Sequence, residues 1–252
     1  MRLSDNTILV TGGATGIGFS LAKKLVQLGN EVIICGRREN RLREAKEKIP
    51  ALSYMVCDIG KEKDRNELFG WIKKEYPKLN ILINNGAYQT DYSLTDGVDA
   101  LRGAGDEINV ILTAPIMMNA LFTDFLKDKD NATIVNVTSI LGFTPLIRIP
   151  VYCAAKAGFH TYTLVLRKQL ENAGINIKIF EAAPPHVESE LNMEGRRRAG
   201  YANRPKGLDP DDYAEYIIDG MKNDNLYLFY GQTGKDIWNL PRTEYETSRL
   251  NG

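Results

Sequence analysis

The sequence predicts an α/β domain built on one doubly wound parallel β-sheet with helices on both faces, and three observations carry that expectation. Short β-branched apolar runs alternate with longer amphipathic stretches from the first residues onward, which is the pattern of repeated βαβ units. A glycine cluster, TGGATGIG, follows the first apolar run and opens the first amphipathic stretch; that context separates a nucleotide turn from a chance cluster. The chain has 252 residues and shows no linker, internal repeat or low-complexity tract, so a single domain covering residues 1–252 is expected.

The elements follow in order. TILVT, Thr7 to Thr11, is the first strand, and Gly16 to Leu28 the first helix, with Gly29 as its stop. EVIIC, Glu31 to Cys35, leads to a helix over Glu39 to Lys48; LSYMVC, Leu52 to Cys57, leads to one over Lys61 to Glu75. NILINN, Asn80 to Asn85, is the fourth strand, and a helix is expected over Glu107 to Leu126. ATIVNVTS, Ala132 to Ser139, precedes a helix over Val151 to Asn172, with Pro150 suited to its start and Gly174 to its end. NIKIFEA, Asn176 to Ala182, is the sixth strand, and Asp211 to Lys222 the last helix. Gln89 to Gly105 and His186 to Leu208 break the alternation. Long irregular stretches in such a domain tend to be functional loops, and the second is the expected substrate loop.

Composition narrows the function classes. Apolar residues make up 43% and charged residues 25%, the balance of an ordinary globular chain. The formal charge is zero, so no global field draws in nucleic acid or an anionic membrane. MRLSDNTILVTGG runs straight into the first strand without a long apolar stretch, from which a cytoplasmic protein without membrane insertion is expected. Cys35, Cys57 and Cys153 have neither CxxC nor metal spacing; they are expected to be buried free thiols, and no metal site is expected.

Within the glycine turn, Gly12 allows the tight bend, while Gly16 and Gly18 let backbone approach a pyrophosphate and the helix pack on its strand. Ala14, Thr15 and Ile17 complete that cofactor-binding turn. The second strand ends in CGRREN, with Gly36 where an acidic residue binds ribose hydroxyls in many such sheets. Arg37 and Arg38 follow, which suits a 2′-phosphate and favours NADP(H) over NAD(H); the plainer alternative is a solvated basic turn. One charge-assisted hydrogen bond contributes about 1.5 to 3 kcal/mol, roughly tenfold or more in affinity.

Tyr152 and Lys156 are i and i+4 neighbours on the expected Val151 to Asn172 helix. An ammonium about 4 Å from a phenol at an effective dielectric of about 20 is worth roughly 4 kcal/mol. Before desolvation is subtracted, that brings the phenol down by up to about three pH units, toward the range where general acids and bases work best. The spacing also arises often by chance, and its setting raises its weight. Ser139 lies just beyond a strand's C-terminal end, where doubly wound sheets bind ligands, and a hydroxyl there can orient a substrate carbonyl. Asn109 sits inside a helix, which it mildly disfavours, so a special role is plausible for it.

TGGATGIG, Asp58 in VCDIG, NNGA at Asn84 to Ala87, Asn109, Ser139, Tyr152 and Lys156 together resemble the short-chain dehydrogenase/reductase family in order and spacing, over about Thr7 to Tyr230. EVIICGRRENRL, PVYCAAKAGFH and EAAPPHVES are similar to the bacterial branch named for the teichoic-acid D-alanylation operon. The resemblance implies a Rossmann fold and hydride transfer between a nicotinamide and a carbonyl or alcohol carbon. It implies Tyr152 as the acid/base and Lys156 as the group that lowers its pKa and holds the nicotinamide ribose. Ser139 would bind the substrate oxygen, and Asn109 would support a proton-relaying water. It further implies that Asp58 and Ile59 contact adenine, that Asn85, Gly86 and Ala87 line the adenosine side, and that Pro184, Pro185, His186 and Val187 form the loop at the nicotinamide end.

Two departures stand out: NNGA replaces the family's NNAG, and Pro184-Pro185 replaces its PG. Either the backbone at Gly86 and Ala87 differs or the glycine freedom is used one position earlier; the second proline removes an N–H and stiffens the loop. His186 is a candidate substrate contact, His160 a packing or interface residue, and Arg196 to Arg198 a solvated loop or an anion-attracting one. A small carbonyl or alcohol substrate and a homodimer or homotetramer, paired through the Glu107 to Leu126 and Val151 to Asn172 helices, are implied. The rival class is a catalytically silent NADP(H)-binding sensor or subunit, which would need only the glycine turn and Arg37.

Overall fold

The computed structural model describes residues 1–191 and 206–231. Among them, seven strands form one parallel sheet: β1 (Thr7–Thr11), β2 (Glu31–Gly36), β3 (Ser53–Val56), β4 (Leu79–Asn84), β5 (Thr133–Val137), β6 (Lys178–Ala183) and β7 (Tyr227–Phe229). Their spatial order is β3-β2-β1-β4-β5-β6-β7. The helices are α1 (Gly16–Gln27), α2 (Glu39–Lys48), α3 (Glu62–Glu75), α4 (Ala104–Ile108), α5 (Ala114–Leu126), α6 (Pro150–Asn172) and α7 (Pro210–Lys222).

Side chains alternate across the sheet with the two-residue period of a strand. Ile8, Val10, Ile34, Ile83 and Val135 face one core with Leu21 and Leu25 of α1, Leu42 of α2 and Tyr213 and Ile217 of α7. Leu9, Ile33, Leu82 and Ile134 face the other with Leu68 of α3, Phe122 of α5 and Leu166 of α6. Both faces are therefore covered, as the near-continuous apolar character of β1 and β4 requires. Gly29 and Gly174 end α1 and α6 at φ 82° and 67°, the left-handed conformation that glycine adopts without Cβ strain.

Three details differ from the sequence expectation. β7 was not anticipated: three residues, YLF, carry too little pattern to stand out, and the strand forms by pairing with β6 from Glu181↔Tyr227 to Ala183↔Phe229. The helix expected over Glu107 to Leu126 begins at Ala104 and passes through a π-helical turn at Asn109–Thr113 between α4 and α5. The irregular Gln89 to Gly105 stretch contains two 3-10 turns, Leu94–Asp96 and Val98–Leu101. The helical run Val98–Leu126 is long and apolar enough to cross a membrane by length and composition; here Ala114, Met118, Phe122 and Leu126 pack it on the sheet. Strand order reverses between β1 and β4, so the crevice opens at the carboxyl ends of those strands.

Candidate active site

A cleft of about 690 Å³ lies along that carboxyl edge. At its centre the chain leaves β1 through Gly12, at φ 65°, and enters α1 through Gly16, at φ 54°. A Cβ on Gly12 would come within 2.8 Å of the Gly86 Cα, so two glycine turns, one after β1 and one after β4, pass each other at close quarters. Thr11 ties them: its Oγ1 accepts the backbone N–H of Asn85 and of Gly86, each at 3.0 Å. The Asn85 side chain donates back to the Thr11 and Gly12 carbonyls at 3.1 and 3.2 Å. The NNGA departure now has an account. Gly86 is not at positive φ; its missing Cβ instead leaves room for Ile59, whose Cδ1 would lie 3.0 Å away.

Ala14, Thr15, Gly16, Ile17, Asp58, Ile59, Asn85 and Ala87 line the cleft with Gly12 and Gly86. Gly18 does not; it lies behind the turn, where a Cβ would strike the Gly12 carbonyl oxygen, and so allows α1 to seat against β1.

One end of the cleft is basic. Arg37 lies over the Tyr88 ring, 5.2 Å from its centroid, a cation–π placement that fixes the guanidinium at the wall. Arg38 Nη1 donates to Glu190 Oε2 at 2.7 Å and its Nη2 to Thr15 Oγ1 at 3.4 Å. Arg41, which sequence reasoning missed, lines the same end and donates to Glu190 Oε1 at 2.6 Å and to Glu44 at 2.8 Å. Its signal was present in GRRENR: one turn of α2 returns Arg41 to the face of Arg37 and Arg38.

The other end holds Ser139, Tyr152 and Lys156, all buried and all on the cleft wall. Ser139 leaves the end of β5, and its Oγ accepts the Leu141 N–H at 3.1 Å, which leaves the hydroxyl proton to donate into the cleft. Tyr152 and Lys156 stack one turn apart on α6, with the Lys156 Nζ 5.7 Å from the phenol ring centroid. That Nζ donates to the Val137 carbonyl at 2.7 Å. Burial lowers the Lys156 pKa from 10.5 to about 7, so near neutrality it does not hold the full positive charge of a solvated lysine. Desolvation, left out of the sequence arithmetic, is the reason.

Asn109 opens the π-helical turn, and its Nδ2 donates to the Gly60 carbonyl at 2.7 Å. Its side chain thus ties the helix to the turn after β3, and its neighbour Val110 lines the cleft instead. His160, one turn beyond Lys156, packs edge-on against Phe143 with centroids 4.5 Å apart. Its Nδ1 lies 2.8 Å from Oε1 of the fully buried Glu181, which also accepts from Thr138.

Pro184, Pro185, His186 and Val187 follow β6 along the cleft, and Val187 bridges to Leu208. Ser189 and Glu190, inside the expected substrate loop but not singled out there, continue this wall to the basic end. Arg196 to Arg198 lie outside the described residues.

A glycine turn at a doubly wound sheet's switch point, with a serine, tyrosine and lysine at the same edge, defines a Rossmann-type domain with polar and ionisable side chains in its cleft. The chain belongs to the short-chain dehydrogenase/reductase family: the family profile for short chain dehydrogenase matches residues 6–200. It is 44% identical over 222 residues to DltE of Bacillus subtilis strain 168, described as an uncharacterized oxidoreductase, covering 88% of this chain and 86% of that protein. It is 27% identical over 227 residues to a farnesol dehydrogenase of Aedes aegypti, covering 86% of this chain and 90% of that one. Among solved structures, a short chain dehydrogenase/reductase of Burkholderia phymatum in complex with NAD superposes with a TM-score of 0.83 at 17% identity, covering 100% of this chain and 96% of that one. An actinorhodin polyketide ketoreductase variant with NADPH gives 0.76 at 21%, covering 86% and 90%. The chain is thus an oxidoreductase of this family.

Proposed function

We propose that the chain is an NADP(H)-dependent oxidoreductase acting on carbonyl and alcohol groups of a small molecule, with Tyr152 as acid/base, working as a homodimer or homotetramer. The observation that supports it most is the single cleft that carries a glycine cradle, three arginines at one end and Ser139, Tyr152 and Lys156 at the other. The residues suit a dinucleotide: Gly12, Gly16 and Gly86 line the cleft without side chains, and Thr15, Gly16 and Ile17 at the N-terminus of α1 line the same space. Arg37, Arg38 and Arg41 suit a 2′-phosphate, since guanidinium groups bind phosphate with paired hydrogen bonds. When bound, the nicotinamide supplies or accepts the hydride.

The protein's own groups handle the proton and the geometry. Ser139 donates to the substrate oxygen and orients it. Tyr152 gives its phenolic proton to that oxygen in reduction, or takes the hydroxyl proton in oxidation. Lys156, with a pKa of about 7, changes protonation near neutrality and so can restore the proton of Tyr152 without a large uphill step. Asn109 holds the helix at the turn after β3 through Gly60, so its part is to position the helix whose Val110 lines the cleft.

Tyr152→Phe keeps the ring and removes the proton. Turnover of a carbonyl panel, followed by NADPH absorbance, should fall by about 10² to 10⁴, the range of general acid–base catalysis, while NADPH still binds. Undiminished turnover would remove Tyr152 from the reaction, and a panel without turnover alongside tight NADPH binding would favour the silent sensor.

A further inference from the structure

Glu190 has no part in the proton chemistry, yet its carboxylate reaches from the segment after β6 to the basic end of the cleft. Its two oxygens are divided between two arginines: Oε2 accepts from Arg38 at 2.7 Å and Oε1 from Arg41 at 2.6 Å. The bridge closes beside the glycine turn, because Arg38 also reaches Thr15 Oγ1 at 3.4 Å and Ser189 Cβ lies 3.2 Å from where a Cβ on Gly16 would sit. A carboxylate held by two guanidinium groups uses the same hydrogen-bond chemistry as a bound phosphate.

We propose that Glu190 is a specificity-determining residue that stands in for the cofactor's 2′-phosphate. This rests on the NADP(H) reading above. Before cofactor binds, the carboxylate occupies Arg38 and Arg41; a 2′-phosphate takes these donors by displacing it, and a cofactor lacking that phosphate leaves the bridge in place. Two consequences follow. NADP(H) affinity is lowered by the fraction of molecules in which the bridge is closed, as for any state that must open before binding. Only the phosphorylated cofactor releases the segment after β6, so the adenosine end is coupled to the wall that carries Pro184, Pro185 and Val187.

The bridge is partly exposed, with Glu190 at 31% and Arg41 at 35% of their side-chain surface, so the effect is moderate. The test uses the full chain and its Glu190→Gln, Arg38→Ala and Arg41→Ala variants, titrated with NADPH and with NADH at fixed ionic strength. Glu190→Gln should tighten NADPH by about three- to tenfold and leave NADH within about twofold. Unchanged or weaker NADPH binding overturns the proposal, and equal tightening of both cofactors overturns the discrimination by Glu190. The arginine variants read the underlying assignment separately: if neither weakens NADPH relative to NADH, the phosphate site itself is lost. If they do and Glu190→Gln has no effect, the cofactor preference stands and only the role of Glu190 falls.

Discussion

Burial lowers the pKa of Lys156 from 10.5 to about 7 while its Nζ stays hydrogen-bonded to the Val137 carbonyl at 2.7 Å. The same burial that displaces the amine's pKa weakens the fold. Between pH 7 and 10.5 the unfolded lysine holds a proton that the folded one has lost, so stability rises with pH through that window; below it the full penalty applies. With about 1.36 kcal/mol per pH unit, the penalty is on the order of 5 kcal/mol. Lys156→Met should therefore abolish turnover yet raise the Tm of the cofactor-free protein by about 10 °C or more at pH 6, where each kcal/mol corresponds to roughly 2–4 °C. The gain should shrink steadily toward pH 10. A Tm difference that is the same at pH 6 and pH 10, or that favours the lysine, would show that the amine is not held out of water in this way. Under the proposed role, function and stability pull in opposite directions at this residue, as is common where a site needs a perturbed group.

At the scale of elements, β6 and α6 are locked by a polar cluster behind the cleft wall. Glu181 on β6 is fully buried, and its oxygens meet Thr138 at the end of β5 and His160 on α6. Removing the ring leaves a buried carboxyl group short of a hydrogen-bond partner, which costs about 1–3 kcal/mol. His160→Ala should lower Tm by about 4–8 °C, and adding Glu181→Gln, whose amide brings its own donor, should change that loss rather than add to it independently. A His160→Ala protein as stable as the parent would assign the histidine to surface packing alone. The sequence made six strands and the glycine turn legible because each is a local pattern: a two-residue alternation, or glycines at a strand-to-helix junction. β7, the π-helical turn at Asn109 and the His160–Glu181 pair were not legible, since each is decided by a neighbour from elsewhere in the chain. The same holds for Glu190, whose partners Arg38 and Arg41 lie 152 and 149 residues away in sequence. Arg41 is the exception, readable from helix periodicity once Arg37 and Arg38 were in view.

For the whole molecule, zero net charge leaves recognition to the cleft, and the cleft's place follows from the reversal of strand order between β1 and β4. What the monomer leaves open is an apolar face on the helices beyond the sheet. Ile108, Met117 and Val165 are 41%, 40% and 38% exposed on α4, α5 and α6. Gly158 of α6 admits Leu112 closely, a Cβ there lying 3.2 Å from the Leu112 Cδ2, so the π-helical turn and α6 pack as one surface. Exposed large apolar side chains are what a subunit contact covers, and a stable pair buries roughly 1,200–2,000 Å² in all. A homodimer or homotetramer is expected in light scattering. Met117→Asp and Val165→Asp place unpaired charges on that face, which costs several kcal/mol if it is buried between copies; each should shift the mass toward the monomer while Arg102→Glu, at a side chain just after the second 3-10 turn that is 84% exposed, should not. Because α6 also carries Tyr152 and Lys156, loss of the contact should reach the cleft as reduced turnover with NADPH affinity kept. A protein that is monomeric without substitution, or one whose mass ignores both aspartates, would place the subunit contact elsewhere or nowhere.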